Sequence, residues 1–425
     1  MKHTLLSLTA ILALNEGLFA SDEAENFNEM FTKSRIGGEF RAIYQSNSKL
    51  NRLDGTNGSS HTGVIGGKVE FATRTYKGFD AVVTGYGTMS AGGNRNQTDG
   101  DYLNNGKGNS NYALLGQAFI RYTNGESFIQ AGRFELDTPL MNSDDIRMVP
   151  NLFEGVYASL SPLENITLQA GYINRMAGWE NGGDNASFEK IGVLIDGMSA
   201  LDTYAVGKSS VSFAGISYGN EESPFSVRLY DYMTKEVMNQ IYADMGINVG
   251  MLNIQGQYLR SIADDRLKNY IHDNAIADTM IDSTVWGASA AVTLEEAHLG
   301  FSFAYNESKK KTNTLNGGGT ADFFGGANDP FFTSMDVLTA HTLGGVKAYK
   351  GEVTFDPSES LSFVLAHALF KKEDGFKNKE SDLCIGYTLQ ENIYLEGMVS
   401  KVIETDDLGN ESTDNRARLA LRVGF

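Results

Sequence analysis

Arginines stand at positions 416, 418 and 422, within the stretch NRARLALRVGF. A guanidinium stays charged at any physiological pH and holds a carboxylate through two parallel hydrogen bonds. Spacing matters here as much as type. Successive side chains of a strand point to opposite faces. Arg416, Arg418 and Arg422 therefore share one face with Ala420 and Gly424, while Ala417, Leu419, Leu421, Val423 and Phe425 share the other. The same parity places Arg41, Arg74, Arg121, Arg133 and Arg175 on the polar faces of their own segments. Set along a water-filled conduit, such a row would lower the barrier for an anion without trapping it at one site. The other use for these arginines is structural. They could pair with carboxylates such as Glu39, Glu70 and Glu396 and fill an interior.

Other chemistry finds less support. GISYG (215–219) fits the G-x-S-x-G nucleophile pattern, but that motif needs a strand–turn–helix elbow, and Ser217 lies inside a strand pattern. The six histidines are scattered with no H-E-x-x-H, and a single cysteine, Cys384, excludes a disulfide framework and a Cys-based zinc site. Asp99 and Asp101 fit no EF-hand spacing. His61, Ser143 and Asp144 could be assembled into a barrel hydrolase, though nothing in their spacing demands it. No metal or cofactor is implied. A net charge of −18 argues against nucleic acid, which needs a basic footprint.

The elements that must carry the arginines follow from hydropathy. Residues 1–20 have Lys2 and His3, a short apolar run and then Ala20, the layout of a secretory signal peptide. The run is about half the ~20 residues a spanning helix requires. Residues 21–34 are expected to form an N-terminal periplasmic segment, and 35–425 a barrel. Period-2 alternation recurs to the end of the chain, with no window of comparable clarity at 3.6. Expected strands are 35–45, 62–75, 78–89, 112–123, 126–136, 152–161, 165–177, 211–219, 224–232, 236–247, 249–262, 284–294, 297–306, 344–355, 360–371, 380–389, 392–402 and 415–425. That is about eighteen, an even number as closure requires. Segment 187–195 also alternates but is assigned to a long loop, 178–210.

Short connections such as 77–78, 124–126 and 389–392 alternate with long polar ones such as 90–111, 307–343 and 403–414. Short turns on one side and long loops on the other are the habit of an up-and-down transmembrane barrel. Tyr44, Tyr112, Tyr122, Tyr172 and Tyr305 fall at the ends of apolar faces, as in an aromatic girdle. Buried dry and unpaired, the polar faces would cost several kcal/mol per group; about eighteen strands leave a lumen wide enough to keep them wet. The expected class is all-β, with lipid outside and water inside. Phe323, Phe324, Phe331 and Phe332 of the longest loop are expected to fold over the mouth or to meet another subunit.

One stretch is distinctive: AGRFELDTPL, NSDDIRMVPNLFEG and LENITLQAGY, all within 128–175. It resembles the Opr family of outer-membrane porins, the substrate-preferring channels of Gram-negative bacteria. The likeness is close over about fifty residues and loose over the rest. The resemblance implies an eighteen-stranded barrel whose third long loop folds inward and narrows the pore, and a ladder of lumenal arginines for carboxylates. By strand order the third loop is 137–151, which holds Asp137, Asn142, Ser143, Asp144, Asp145 and Arg147. Acidic residues there would face a basic wall and create a transverse field; alternatively, NSDD caps a short helical turn. The expected function is passive diffusion of small hydrophilic solutes, favouring carboxylate-bearing or zwitterionic ones. The alternative is an adhesin or structural barrel working through its long loops. Expected partners are outer-membrane lipid, lipopolysaccharide and solutes, and a homotrimer is compatible with the apolar faces.

Overall fold

The computed structural model describes residues 23–51, 57–93, 100–104, 110–180, 184–190, 210–220, 222–273, 283–309, 330–339, 345–372, 375, 377–405 and 409–425. The expected signal peptide, Phe323, Phe324 and most of loop 307–343 lie outside them.

Eighteen long strands form one closed antiparallel sheet. They are β1 (Arg35–Asn51), β2 (Asn57–Ala72), β3 (Phe79–Gly93), β4 (Tyr112–Asn124), β5 (Ser127–Phe134), β6 (Leu152–Leu163), β7 (Ile166–Ala177), β8 (Val211–Tyr218) and β9 (Phe225–Thr234). The second half is β10 (Met238–Val249), β11 (Leu252–Ala263), β12 (Ser283–Leu294), β13 (Leu299–Lys309), β14 (Lys347–Ser358), β15 (Leu361–Lys371), β16 (Lys377–Gln390), β17 (Ile393–Thr405) and β18 (Glu411–Gly424). Each pairs with the next, and β18 pairs back onto β1. Closure matters because hydrocarbon offers no partner for a bare strand edge. The seam is completed by Gly38 and Phe425, which exchange both backbone hydrogen bonds at 3.0 Å.

Every expected strand is present. The ends differ: β1 runs on to Asn51, β2 begins at Asn57, and β18 begins at Glu411. The added residues are polar apart from Leu50 and Gly58. Above the lipid, both faces of a strand meet water, so nothing in the sequence enforces alternation there. Of segment 187–195, Glu189 and Lys190 pair with β7 as a two-residue ladder, and 191–195 lie outside the described residues. At the short-turn end, the helix Phe27–Thr32 is tied to the β2–β3 turn, where the Arg74 N–H donates to Met30 O at 3.0 Å.

The faces have the expected sense on β18. Leu419 is 57% exposed toward the lipid side and Arg418 is 9% exposed on the lumenal side. On β4 the sense reverses part-way. A register shift between Thr84 and Gly85 leaves Gly116 as an extra residue in β4. A bulge flips every later side chain to the other face. Tyr112 and Leu114, expected on the outer face, instead point inward and pack against Tyr86, Val149 and Leu152.

Candidate permeation constriction

The seam between β1 and β18 sets four arginines on one stretch of inner wall. Register places Arg41 opposite Arg422, Gln45 opposite Arg418 and Asn47 opposite Arg416. Four adjacent guanidiniums repel one another unless anions are brought to them. The neighbouring strand β2 helps fix the spot. Gly67, opposite Phe40, has φ +136°, and a Cβ there would lie 1.8 Å from Glu39 O, so only glycine lets the two strands approach this closely.

The anions come partly from the loop between β5 and β6, residues 135–151. Asp145 receives Arg41 in a bidentate grip, Nη1 to Oδ1 and Nη2 to Oδ2, both at 2.5 Å. Arg41 Nη1 also donates to Arg147 O at 2.7 Å, and its Nε to Glu39. Arg422 Nη2 donates to Asp145 O at 2.5 Å and Nη1 to Asp145 Oδ2 at 3.4 Å. Arg41 is only 1% exposed, so these charges are desolvated and depend on the pairing.

The other end of the same loop lies across the barrel. Leu136, Leu140 and Met141 are buried with Phe134, Tyr157, Phe213, Tyr230, Tyr232 and Tyr242. Leu140 N–H donates to the Tyr232 hydroxyl at 3.3 Å. Tyr232 is on β9 and Arg422 on β18, nine strands apart in a ring of eighteen and so diametrically opposed. The loop therefore spans the lumen. Between its anchors it turns on its own polar groups. Asn142 Oδ1 accepts from Asp144 N at 2.8 Å, Ser143 O from Asn151 N at 2.7 Å, and Asp144 O from Trp179 Nε1 at 3.0 Å. Residues 143–150 are irregular, with bends at 146–149 and no helix, so the helical-turn alternative is corrected: Asn142 closes an Asx turn. The Arg147 guanidinium lies over the Trp179 ring at 4.7 Å and the Tyr102 ring at 5.7 Å.

A second segment also folds in. Residues 330–338 run along the inner wall from β11 to β18. Pro330 O accepts from Gln257, Thr333 N–H donates to Asn306, and the Val337 and Leu338 N–H groups donate to Glu380. Asp336 then meets Arg418 at 3.2 Å, and Glu396 takes the same guanidinium at 3.3 Å. Together the two segments narrow a wide barrel to a polar passage.

Comparison with known proteins agrees with this geometry. The model of the OprD family of outer-membrane porins matches residues 30–336, well over half of the chain. The chain belongs to the OprD family.

This porin shares its fold with OccAB1 of Acinetobacter baumannii, at a TM-score of 0.72 and 15% identity over 96% of this chain and 99% of that one. It is similar to OccK8 (OprE) of Pseudomonas aeruginosa, at a TM-score of 0.71 and 13% identity over 93% and 99%. It also resembles A. baumannii OccAB2, at a TM-score of 0.68 and 13% identity over 93% and 99%. No curated protein sequence matches it. The porin is an outer-membrane channel for small solutes.

Within the porin, the remaining expected arginines divide. Arg121 projects inward and pairs with Asp80 at 3.1 Å, and Arg416 with Asp414 at 3.2 Å. Arg74 is beyond the end of β2, where its Nε donates to Lys33 O at 3.2 Å, so it is a turn residue and not part of the wall. Arg133 shares the parity of the outward Ile129, and its partner Glu154 that of the outward Val156; they pair at 2.8 Å. Arg175 joins them because a register shift between Glu154 and Gly155 inserts Asn174 and flips it. Both arginines thus leave the inward parity expected of them, and the Arg133 guanidinium lies 4.3 Å from the Phe188 ring centroid. In the loop, Asp137 is exposed to the lumen, while Asp145 is bound to the basic wall and does not face it across a gap. Sequence parity missed Arg228 on β9, which pairs with Asp244 at 2.7 Å and is 50% exposed in the lumen. Its alternation with Tyr230 and Tyr232 was a usable signal. Ser217 sits mid-strand in β8, 3.5 Å from the Tyr230 hydroxyl, without an elbow around it.

Proposed function

We propose that the channel works by passive diffusion and favours small solutes that carry a carboxylate, zwitterions above all. One observation carries this reading. Guanidinium and carboxylate groups are paired around the passage, and some of both remain open to water. Arg228 is half exposed beside the Asp137 region of the loop, and Arg416 is partly open. A zwitterion can satisfy both signs at once, whereas a simple anion gains the arginines and is repelled by their carboxylate partners. Desolvated arginines such as Arg41 shape the passage, and the accessible ones address the solute.

The test is reconstitution. Planar-bilayer recordings should show open ohmic steps. Liposome swelling should be faster with neutral amino acids than with uncharged sugars of equal size, with monocarboxylates between. Equal rates for all three would leave a channel without this preference.

A further inference from the structure

We propose that the outer face of β14–β17, at the extracellular border of the hydrocarbon, is a docking surface for a phosphorylated, acylated lipid of the outer leaflet. The starting point is a stack of like charges. Register sets Lys347 of β14 directly opposite Lys371 of β15, and Lys371 opposite Lys377 of β16. Lys379 and Lys401 lie in the next two outward rows, and His367 is opposite Ser381, which is opposite Lys401. All point outward, because their neighbours Val346, Ala348, Phe370, Glu380 and Val402 are buried on the inner side. Like charges directly opposite on one sheet face are destabilising unless a counter-charge is present.

The chain's net charge is −18, so carboxylates are plentiful. Yet among the described residues no carboxylate closes an ion pair with these five lysines, although Glu307 and Glu411 stand at the two ends of the row of Lys347, Lys371 and Lys377. Glu307 is opposite Lys347, but it accepts the Tyr305 hydroxyl at 3.1 Å. The inner arginines of the same wall, by contrast, all have carboxylate partners. Among the described residues, no outward position of β1–β12 is a lysine.

Depth identifies the occupant. Trp286, Tyr305 and Tyr349 form a contiguous ring cluster, with centroids 5.2 and 5.1 Å apart, of the kind that marks the edge of the hydrocarbon. Lys347 is the next outward residue above Tyr349. The row of Lys347, Lys371 and Lys377 therefore lies just beyond the aromatic belt, at the level of headgroup phosphates, with Lys379 in the row of Tyr349 and Lys401 one outward row nearer the hydrocarbon. Beside them, on the lipid side, is an open cavity of about 430 Å³. Its lining steps from the larger Leu365, Leu383 and Val399 of β15–β17 down to the small Ala417, Ser46 and Ser48 of β18 and β1. Phosphates suit the lysines and an acyl chain suits the groove, so one molecule answers both features. The surface does not depend on which solute the lumen prefers.

The test uses the full-length barrel in detergent, native mass spectrometry, and lipid A in phosphorylated and fully dephosphorylated forms. Wild-type protein should retain the phosphorylated lipid. The triple variant K371E/K377E/K401E should bind it on the order of 100-fold more weakly, and the control R260E, on the outer face of β11, should not. The dephosphorylated lipid should bind all three proteins alike and weakly. Unchanged affinity in the triple variant, or equal retention of both lipids by wild type, would overturn the proposal. So would displacement of the lipid by millimolar inorganic phosphate, or a trimer mass lost in the triple variant, which would assign the face to a second copy. Unchanged single-channel conductance shows that the variant is folded. Should it fail to insert, the neutral K371Q/K377Q/K401Q set carries the same comparison.

Discussion

At one end of the inward loop, Leu136, Leu140 and Met141 lie among aromatic rings of β5–β10; at the other, Asp145 is held by two arginines of β1 and β18. The first anchor is apolar and indifferent to salt and pH. The second is a desolvated ion cluster, strong only while every member is present. The pair teaches why one loop can bridge a wet lumen. An apolar anchor alone would be non-directional and leave the loop free to slide, and an ionic anchor alone would leave charges buried at the cost of stability. Each anchor limits the weakness of the other.

The ionic anchor is most vulnerable at Asp145. Asp145→Ala leaves Arg41 and Arg422 buried beside each other without their shared partner, and loss of one member of a buried pair costs about 3–5 kcal/mol. The loop should leave the β1/β18 wall, seen as a larger single-channel conductance and new protease cleavage within 135–151. Next comes the apolar anchor. Leu140→Ala, at a buried site, should cost roughly 2–4 kcal/mol, raise current noise and, unlike the first variant, respond little to ionic strength.

Proton binding sharpens the contrast further. Burial pushes the carboxyl of Asp144, on the loop itself, up to about 6, against the pull of Arg147. The docked loop thus holds this proton more tightly than a released one. Docking gains as pH falls toward the ordinary carboxylate range and loses that gain as pH rises through about 6. Reversal potentials should therefore move toward anion selectivity between pH 7 and 5, roughly the span over which such a group titrates, and Asp144→Asn should abolish the shift. The smallest effect is expected of Tyr232→Phe, which removes one hydrogen bond to Leu140 N–H and should cost about 1 kcal/mol or less, read as slightly faster loop proteolysis.

Much of this was legible in the chain. Alternation alone places β18 with its arginines inward and Leu419 outward, and strand order alone puts 137–151 in the third loop. Two of the failures share a cause. Parity counting assumes an unbroken register, and one extra residue at Gly116 or Asn174 reverses everything beyond it, as happened to Leu114 and Arg175. Arg74 follows a strand that ends two residues earlier, at Ala72. The inward course of 330–338 was invisible for another reason. Gln257, Asn306, Glu380 and Arg418, which hold it, come from four separate strands, and no local pattern records that they converge. Phe331 gave a partial hint, since it is buried in the aromatic cluster and not spread over the mouth.

The strands differ greatly in length: β1 has 17 residues and β2 has 16, whereas β5 and β8 have 8 each. At the rise and tilt usual for barrel strands, nine extra residues lift the rim by about 20 Å. The strand wall is cut obliquely, a parapet on the β1 side and a sill on the β5–β8 side. Among the described strands the parapet stands across the lumen from that sill, and it is the side that carries Arg416, Arg418 and Arg422.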